Sequence, residues 1–189
     1  MPPAIFERFD FRPAYEIEVN PEFPPDGDWR APAFFFDRES TVSQSPADSR
    51  WGAPLVIRAT VDQERWVGTF TAGIDGVQGV FATPNPRRVC CVVAGLAYVV
   101  DVKDPGAGAE LAHWQTVSVT PVTGGNTLLL AGFVDMMALG QSGIAWRSER
   151  LVLDDLRILQ VSADEIVCSG TIPGHDAPRI TVDPRRVNW

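Results

Sequence analysis

Two histidines, His113 and His175, are the only imidazoles in the 189-residue chain, so proton transfer near neutral pH has few places to reside. His175 stands in the loop-like run PGHDAP beside Asp176, and loops are where binding residues concentrate, so this pair is the candidate ligand or partner contact. His113 precedes Trp114 in a strand-like run and reads as a packing residue. A hydrolase would need Ser142 as nucleophile, one of the histidines as base, and Asp154 or Asp176 as orienter. The tetrapeptide GQSG at 140–143 approaches the G-x-S-x-G elbow, but its second glycine comes one residue early and no strand–helix context surrounds it. It reads as a turn, and no catalytic residue is assigned.

The carboxylates and thiols point away from metals. Asp154 and Asp155 are adjacent, and neighbouring acids diverge on a strand; Asp154 is expected to fix a turn by bonding Arg150 or Arg157. Asp26 and Asp28 flank Gly27 in PPDGDW, too few oxygens for a calcium loop. Cys90 and Cys91 lie in one apolar run and on a strand point to opposite faces, so they are expected to be small buried hydrophobes. With Cys168 they form no even disulfide framework, which fits a reducing compartment. No metal site is predicted.

Phosphate-binding signatures are missing too. There is no G-x-x-x-x-G-K-S/T or G-x-G-x-x-G run, and the sole lysine, Lys103, sits in the turn VKDPG, so no nucleotide or other cofactor is expected. A net charge of −8 and a pI near 4.7 argue against nucleic acid and leave a basic protein as the natural charged partner. The opening MPPAIFERFDF carries acids and aromatics where an export signal carries basic and then apolar residues. The longest apolar run, 89–100, is too short to span a bilayer. A cytoplasmic protein without membrane contact is the expectation.

The elements that must position these residues read as an all-β fold. Short runs rich in Val, Leu, Ile and Thr, among them PLVIRATV, RWVGTFTA, VCCVVA, AYVVDV, HWQTVSVTPV, TLLLAGF, MMALG, LRILQV and EIVCSG, are separated by Gly, Pro and Asn turns. An antiparallel meander, propeller-like or sandwich-like, is predicted over a single domain at 51–189. The one place for a helical turn is LVLDDL, 151–156.

Residues 1–50 differ in kind, with eight prolines and ten acids against five arginines, −5 of the chain's −8. Proline density excludes long helices and central strands. The aromatics here, Phe6, Phe9, Phe11 and the triplet Phe34, Phe35, Phe36, exclude a disordered tail. This N-terminal arm is expected to lie against the body or against a second copy of the chain, which leaves a homo-oligomer open. The aromatic triplet is either core cover or a partner anchor.

Three segments repeat a strand, a turn and a return ending on tryptophan: AYVVDVKDPGAGAELAHW, MMALGQSGIAW and RITVDPRRVNW. The second resembles the blade motif of quinoprotein-type propellers, with Ala138, Leu139, Gly143 and Trp146 on the pattern and Gly140 where an aspartate belongs. That likeness implies that Trp114 and Trp146 are buried between neighbouring units. The stretch 143–170 also resembles a group of uncharacterised small bacterial proteins, through Gly143, Trp146, Arg150, Leu151, Asp154, Leu156, Val161, Ile166 and Gly170. The resemblance implies an all-β bacterial domain and no particular chemistry.

The leading functional expectation is a non-catalytic bacterial binding module acting by protein–protein interaction, in its most specific form an immunity-type (antitoxin) protein. The alternative is a small-molecule or glycan-binding β domain with a pocket walled by Trp66, Trp114 or Trp146. The hydrolase comes third.

Overall fold

A computed structural model describes residues 5–37, 42–43, 53–122, 124, 126–175 and 178–184. They form an all-β structure of seventeen strands in four sheets. The only helical segment among them is a three-residue 3-10 turn, Pro105–Ala107.

Sheet A is the meander β7 (Gly79–Ala82), β8 (Arg88–Val93), β9 (Leu96–Asp101) and β10 (Ala109–His113), with β1 (Phe6–Glu7) parallel to β7. Sheet B is the hairpin β5 (Leu55–Val61) and β6 (Glu64–Phe70), flanked by β2 (Glu16–Val19) on β5 and by β3 (Ala33–Phe36) and β4 (Val42–Ser43) beyond β6. Sheet C is a second four-stranded meander: β11 (Ser118–Pro121), β12 (Leu128–Ala131), β13 (Met136–Gly140) and β14 (Gly143–Arg147). Sheet D holds β15 (Asp154–Val161), β16 (Ile166–Thr171) and β17 (Arg179–Val182).

Side-chain parity sets the stacking order. Val89, Cys91, Val93, Leu96, Tyr98 and Val100 of sheet A face Leu55, Ile57, Trp66 and Phe70 of sheet B. The alternate residues Cys90, Val92, Ala97 and Val99 face Leu128, Leu130, Met137 and Leu139 of sheet C. Leu129, Met136, Ala138 and Trp146 on the far side of sheet C meet Leu156, Ile166 and Cys168 of sheet D. The order is therefore B–A–C–D, with three apolar layers between four sheets. Both faces of A and C are covered, which is why RVCCVV, LAYVVD and LLLA are nearly continuous apolar runs. The outer sheets keep one wet face and alternate, as in LVIRATV and RITV. Among the described residues no core joins D back to B. The meanders thus stack face to face like propeller blades in an open row.

Residues 5–37 are woven into this stack, contributing β1 to sheet A and β2 and β3 to sheet B; β3, paired with β6 on one side and β4 on the other, is an interior strand, against the expectation from proline density, because Ala33–Phe36 is itself free of proline. Phe11 and Phe36 are buried, and Phe6, Phe9, Phe34 and Phe35 are half-buried. Ile17 and Val19 of β2 pack on the core while Glu16 and Glu18 point outward; charged outward residues suit an edge strand.

Two sequence expectations are corrected. The run 151–156 makes no helical turn: Val152 and Leu156 pack between sheets C and D, and Asp155 is held at φ 57° with its N–H on Asp154 Oδ1 at 2.8 Å. The run HWQTVSVTPV is not one strand. β10 ends at His113, the chain turns through Gln115 at φ 55°, and β11 begins at Ser118. Trp114 therefore falls in a loop, 53% exposed, instead of between blades, while Trp146 is buried as the blade likeness implies.

Candidate functional site

Four connections meet at one end of the stack: 71–78 between β6 and β7, Ala94 and Gly95 between β8 and β9, 114–117 between β10 and β11, and 132–135 between β12 and β13. Backbone bonds lace the first three together. Gly73 N–H donates to Val93 O at 2.8 Å, Gly95 N–H to Val77 O at 3.0 Å, Val77 N–H to Thr116 O at 2.9 Å and Thr116 N–H to Gly95 O at 2.8 Å. Two glycines make the approach possible. A Cβ on Gly76, at φ +127°, would stand 2.4 Å from Thr116 O, and one on Gly95, at φ +84°, 2.2 Å from Asp75 O. Ala94 at φ 44° and Gln115 at φ 55° are held in the left-handed region without a glycine's freedom, a strain that persists only where surrounding structure enforces it.

This locked platform leaves two large apolar side chains in water: Ile74, 75% exposed, and Trp114. Between them opens a cleft of about 170 Å³, lined also by Asp75, Leu96 and Gln115. That is near the roughly 150 Å³ of a cavity that takes one benzene ring and below the ~300 Å³ at which ligand pockets begin. It fits one apolar side chain.

Beneath Trp114 lies His113, 5% exposed, with Nδ1 3.0 Å from Thr116 Oγ1. Its Nε2 is 3.3 Å from Asp135 Oδ1, within ion-pair distance but off the line of a hydrogen bond, so this buried nitrogen has no aligned partner. The ring packs into the loop cluster with its Nδ1 paired.

A second concavity lies on the outer face of sheet B, about 720 Å³, where Phe23 and Trp29 meet edge to face at 5.3 Å. Glu18, Glu22, Asp26 and Asp28 line it together with Arg30 and Arg58. Arg58 bonds Glu18 Oε2 at 2.7 Å and lies 5.6 Å from the Trp29 ring centroid. Asp26 and Asp28 spend carboxylate oxygens on the backbone N–H groups of Asp28 and Arg30.

The other sequence candidates are dispersed. Phe36 is fully buried and stacks on Phe70 at 4.7 Å, and Phe34 meets Trp66 edge to face. These two close the core between sheets A and B, and Phe35 is half-buried on the same strand. Trp66 is buried with Nε1 donating to Val102 O at 2.9 Å, and buried Trp146 donates to Pro184 O at 2.8 Å. Both are interior, so of the three tryptophans expected to wall a pocket only Trp114 meets solvent. His175 is exposed in the turn after β16, and Asp176 lies outside the described residues.

The hydrolase constellation does not assemble. Ser142 occupies the two-residue turn closed by Gly140 and Gly143 at one end of β13, whereas Met136 at the other end pairs with Ala131 beside the 132–135 turn near His113. His175 also belongs to that other end, since Leu153 N–H donates to Thr171 O and Leu156 N–H to Phe133 O. Asp154 bonds neither arginine: Arg150 donates to Val152 O and Leu153 O, and Arg157 pairs with Asp155 at 2.9 Å.

Burial raises all three thiols: Cys90 up to about 12, Cys91 well above its ordinary value, and Cys168 in the same direction. Raised thiols are poor nucleophiles and poor soft-metal ligands. Among the described residues no group of three metal-ligating side chains converges, and no helix is long and apolar enough to cross a membrane.

Ile74, Asp75 and Gln115 were not singled out by sequence. GIDGVQG, 73–79, shows its glycines as turn formers, but only the fold brings that turn against Trp114. A comparison of the chain with protein-family models, curated proteins and solved structures finds no match.

Proposed function

We propose that the chain is a non-catalytic bacterial binding module that acts by protein–protein contact, receiving one apolar side chain of a basic partner in the cleft between Ile74 and Trp114. The observation that carries this reading is the exposure of both side chains on a backbone locked by close glycine contacts. Leaving them wet forgoes roughly 1.5–3 kcal/mol each, and rigid, preformed aromatic anchors are what interface hot spots use. Asp75 on the rim of the cleft and the net charge of −8 favour a cationic partner surface. An immunity-type protein covering a basic toxin in the cytoplasm is the specific form of this reading, supported by the chain's small size, its acidity and its unpaired cysteines.

The test is co-isolation from the source cells with the wild-type chain, Trp114→Ala and Ile74→Asp side by side. A basic protein retained by the wild type and lost by both variants, at unchanged melting temperature, is the expected result. Identical retention by all three rejects the cleft.

The second reading, a small-molecule or glycan-binding domain, is favoured by one feature, the groove of Phe23 and Trp29, whose volume falls within the range of ligand pockets. A rise in melting temperature with a glycan or cationic ligand, abolished by Trp29→Ala, would select it.

A further inference from the structure

Of the seven large apolar side chains exposed among the described residues, four stand on one end of the stack: Ile74, Trp114, Phe133 and Leu153. Each comes from a different connection. Ile74 lies in the passage from sheet B to sheet A, Trp114 in that from A to C, Phe133 in the turn between β12 and β13, and Leu153 in the passage from C to D. The connections touch in that order. Val77 N–H donates to Thr116 O at 2.9 Å, Val117 N–H to Ala131 O at 2.8 Å, Leu151 N–H to Val134 O at 2.8 Å and Leu156 N–H to Phe133 O at 2.9 Å. The Trp114 cleft is thus one end of an apolar row that crosses the whole stack, and a contiguous exposed row of this kind marks an interaction surface.

Aspartates accompany the row. Asp75 directly follows Ile74, Asp154 directly follows Leu153, and Asp135 comes two positions after Phe133. Asp75 and Asp154 each turn Oδ1 to the next residue's N–H at 2.8 Å, and Asp135 is 43% exposed. Arg150, the base in the last connection, donates to Val152 O and Leu153 O and leaves these carboxylates to others. A two-fold contact between copies would set the aspartates against one another, whereas a guest whose apolar groups are bordered by Lys or Arg complements them.

The form of the guest follows from the backbone. This end is built of connections, and the N–H groups of Gly73, Val77, Gly95, Thr116, Gly132 and Leu153 all donate to carbonyls of the chain. Adding a strand needs a row of free backbone groups; a helix satisfies its own and docks by side chains. Stacked sheets lie about 10 Å apart, so the row from the B–A junction to the C–D junction covers roughly 20 Å, the length of about fourteen helical residues. The only helical segment among the described residues is the three-residue turn Pro105–Ala107, so the described part of a second copy supplies no such helix.

We infer that this end of the stack is the docking surface for a basic amphipathic helix of a partner protein, whose apolar stripe runs along Ile74, Trp114, Phe133 and Leu153 while its Lys and Arg side chains reach Asp75, Asp135 and Asp154. Resting on the cleft as the partner's contact, this adds a helix as the element recognised and Phe133 and Leu153 as determinants of its affinity.

The probe is a synthetic helical peptide of about sixteen residues, with leucines spaced i, i+4, i+7 and i+11 and lysines bordering them, titrated into the isotope-labelled full chain while backbone amide shifts are followed by NMR. A control peptide has the same composition with its leucines spread around the helix, so charge alone cannot distinguish the two. Saturable shifts at 73–77, 114–116, 132–135 and 149–153 are expected. The control peptide, and chains carrying Phe133→Glu or Leu153→Glu, should each give binding on the order of tenfold weaker. Shifts confined to 73–77 and 114–116, indifferent to Phe133→Glu and Leu153→Glu, would overturn the helix surface and leave the cleft standing. Absence of shifts, or equal binding of the control peptide, would overturn it as well. A peptide-free solution mass that rises with concentration, and stays monomeric in Leu153→Glu, would assign the surface to a second copy and overturn the partner named here. Both substitutions alter exposed side chains; if either lowers the melting temperature, the two peptides compared on the unaltered chain decide.

Discussion

Cys90 and Cys91 are neighbours in β8, yet they belong to different cores: Cys91 packs between sheets A and B, and Cys90 between sheets A and C. This single step of strand parity identifies sheet A as an interior layer. Replacing either thiol by a hydroxyl puts a polar group into a dry core, so Cys90→Ser and Cys91→Ser are each expected to cost about 1–3 kcal/mol in urea unfolding. Because the two cores lie on opposite faces, the double variant should cost close to the sum.

Stability should fall in alkali. Burial raises the pKa of all three thiols, Cys90 from 9.0 to about 12, and burial raises Tyr15 as well. A group whose folded pKa is raised contributes stability fully present below its unfolded pKa and lost as pH climbs toward the folded one. The unfolding free energy is therefore expected to be insensitive to these groups at pH 6–8, then to drop between about 9 and 12 by roughly 1.4 kcal/mol per pH unit for each fully buried thiol. Urea denaturation across that window measures it, and Cys91→Ala should flatten the slope.

Two of the tryptophans that end the repeated hairpins, Trp146 and Trp114, should behave oppositely. Trp146→Phe loses the bond to Pro184 O and opens space between sheets C and D, an expected cost of about 1–3 kcal/mol. Trp114→Ala, on the surface, should change stability by no more than about 0.5 kcal/mol. Thermal unfolding of the two variants checks the contrast.

That contrast also marks what could be read from sequence. The all-β class followed from short apolar runs between turn residues, and the interior position of sheets A and C is written in the unbroken apolar character of RVCCVV and LLLA. Trp146 obeys the hairpin rhythm because β14 carries it inside the sheet. Trp114 does not, because the fate of HWQTV depends on Gln115 accepting a left-handed conformation and on Thr116 bonding His113 and Gly95. Those contacts join two separate connections, and no local pattern encodes them. Ile74 was hidden for the same reason.

Gly95 and Gly27 separate close approach from backbone conformation. Both have positive φ, but a Cβ on Gly95 would strike Asp75 O while one on Gly27 meets nothing within 4 Å. Gly27→Ala is expected to cost only the conformational penalty, about 1 kcal/mol. Gly95→Ala should cost at least about 2 kcal/mol and loosen the cleft, seen as lower melting temperature together with broadened amide signals at 73–77 and 114–116.

Site-specific photocrosslinking tests whether the Ile74–Trp114 cleft is the contact surface for a basic protein. The full chain carrying a photoreactive residue at position 74, or at the exposed control positions Gln63 and Ser142 in turns at the opposite end of the stack, is expressed in the source cells and irradiated. One adduct with a basic protein is expected at position 74, absent from both controls and abolished by adding Trp114→Ala, which should weaken the complex by at least about 2 kcal/mol, roughly thirtyfold. Adducts of equal yield at all three positions, or an adduct at 74 that survives Trp114→Ala undiminished, would contradict it.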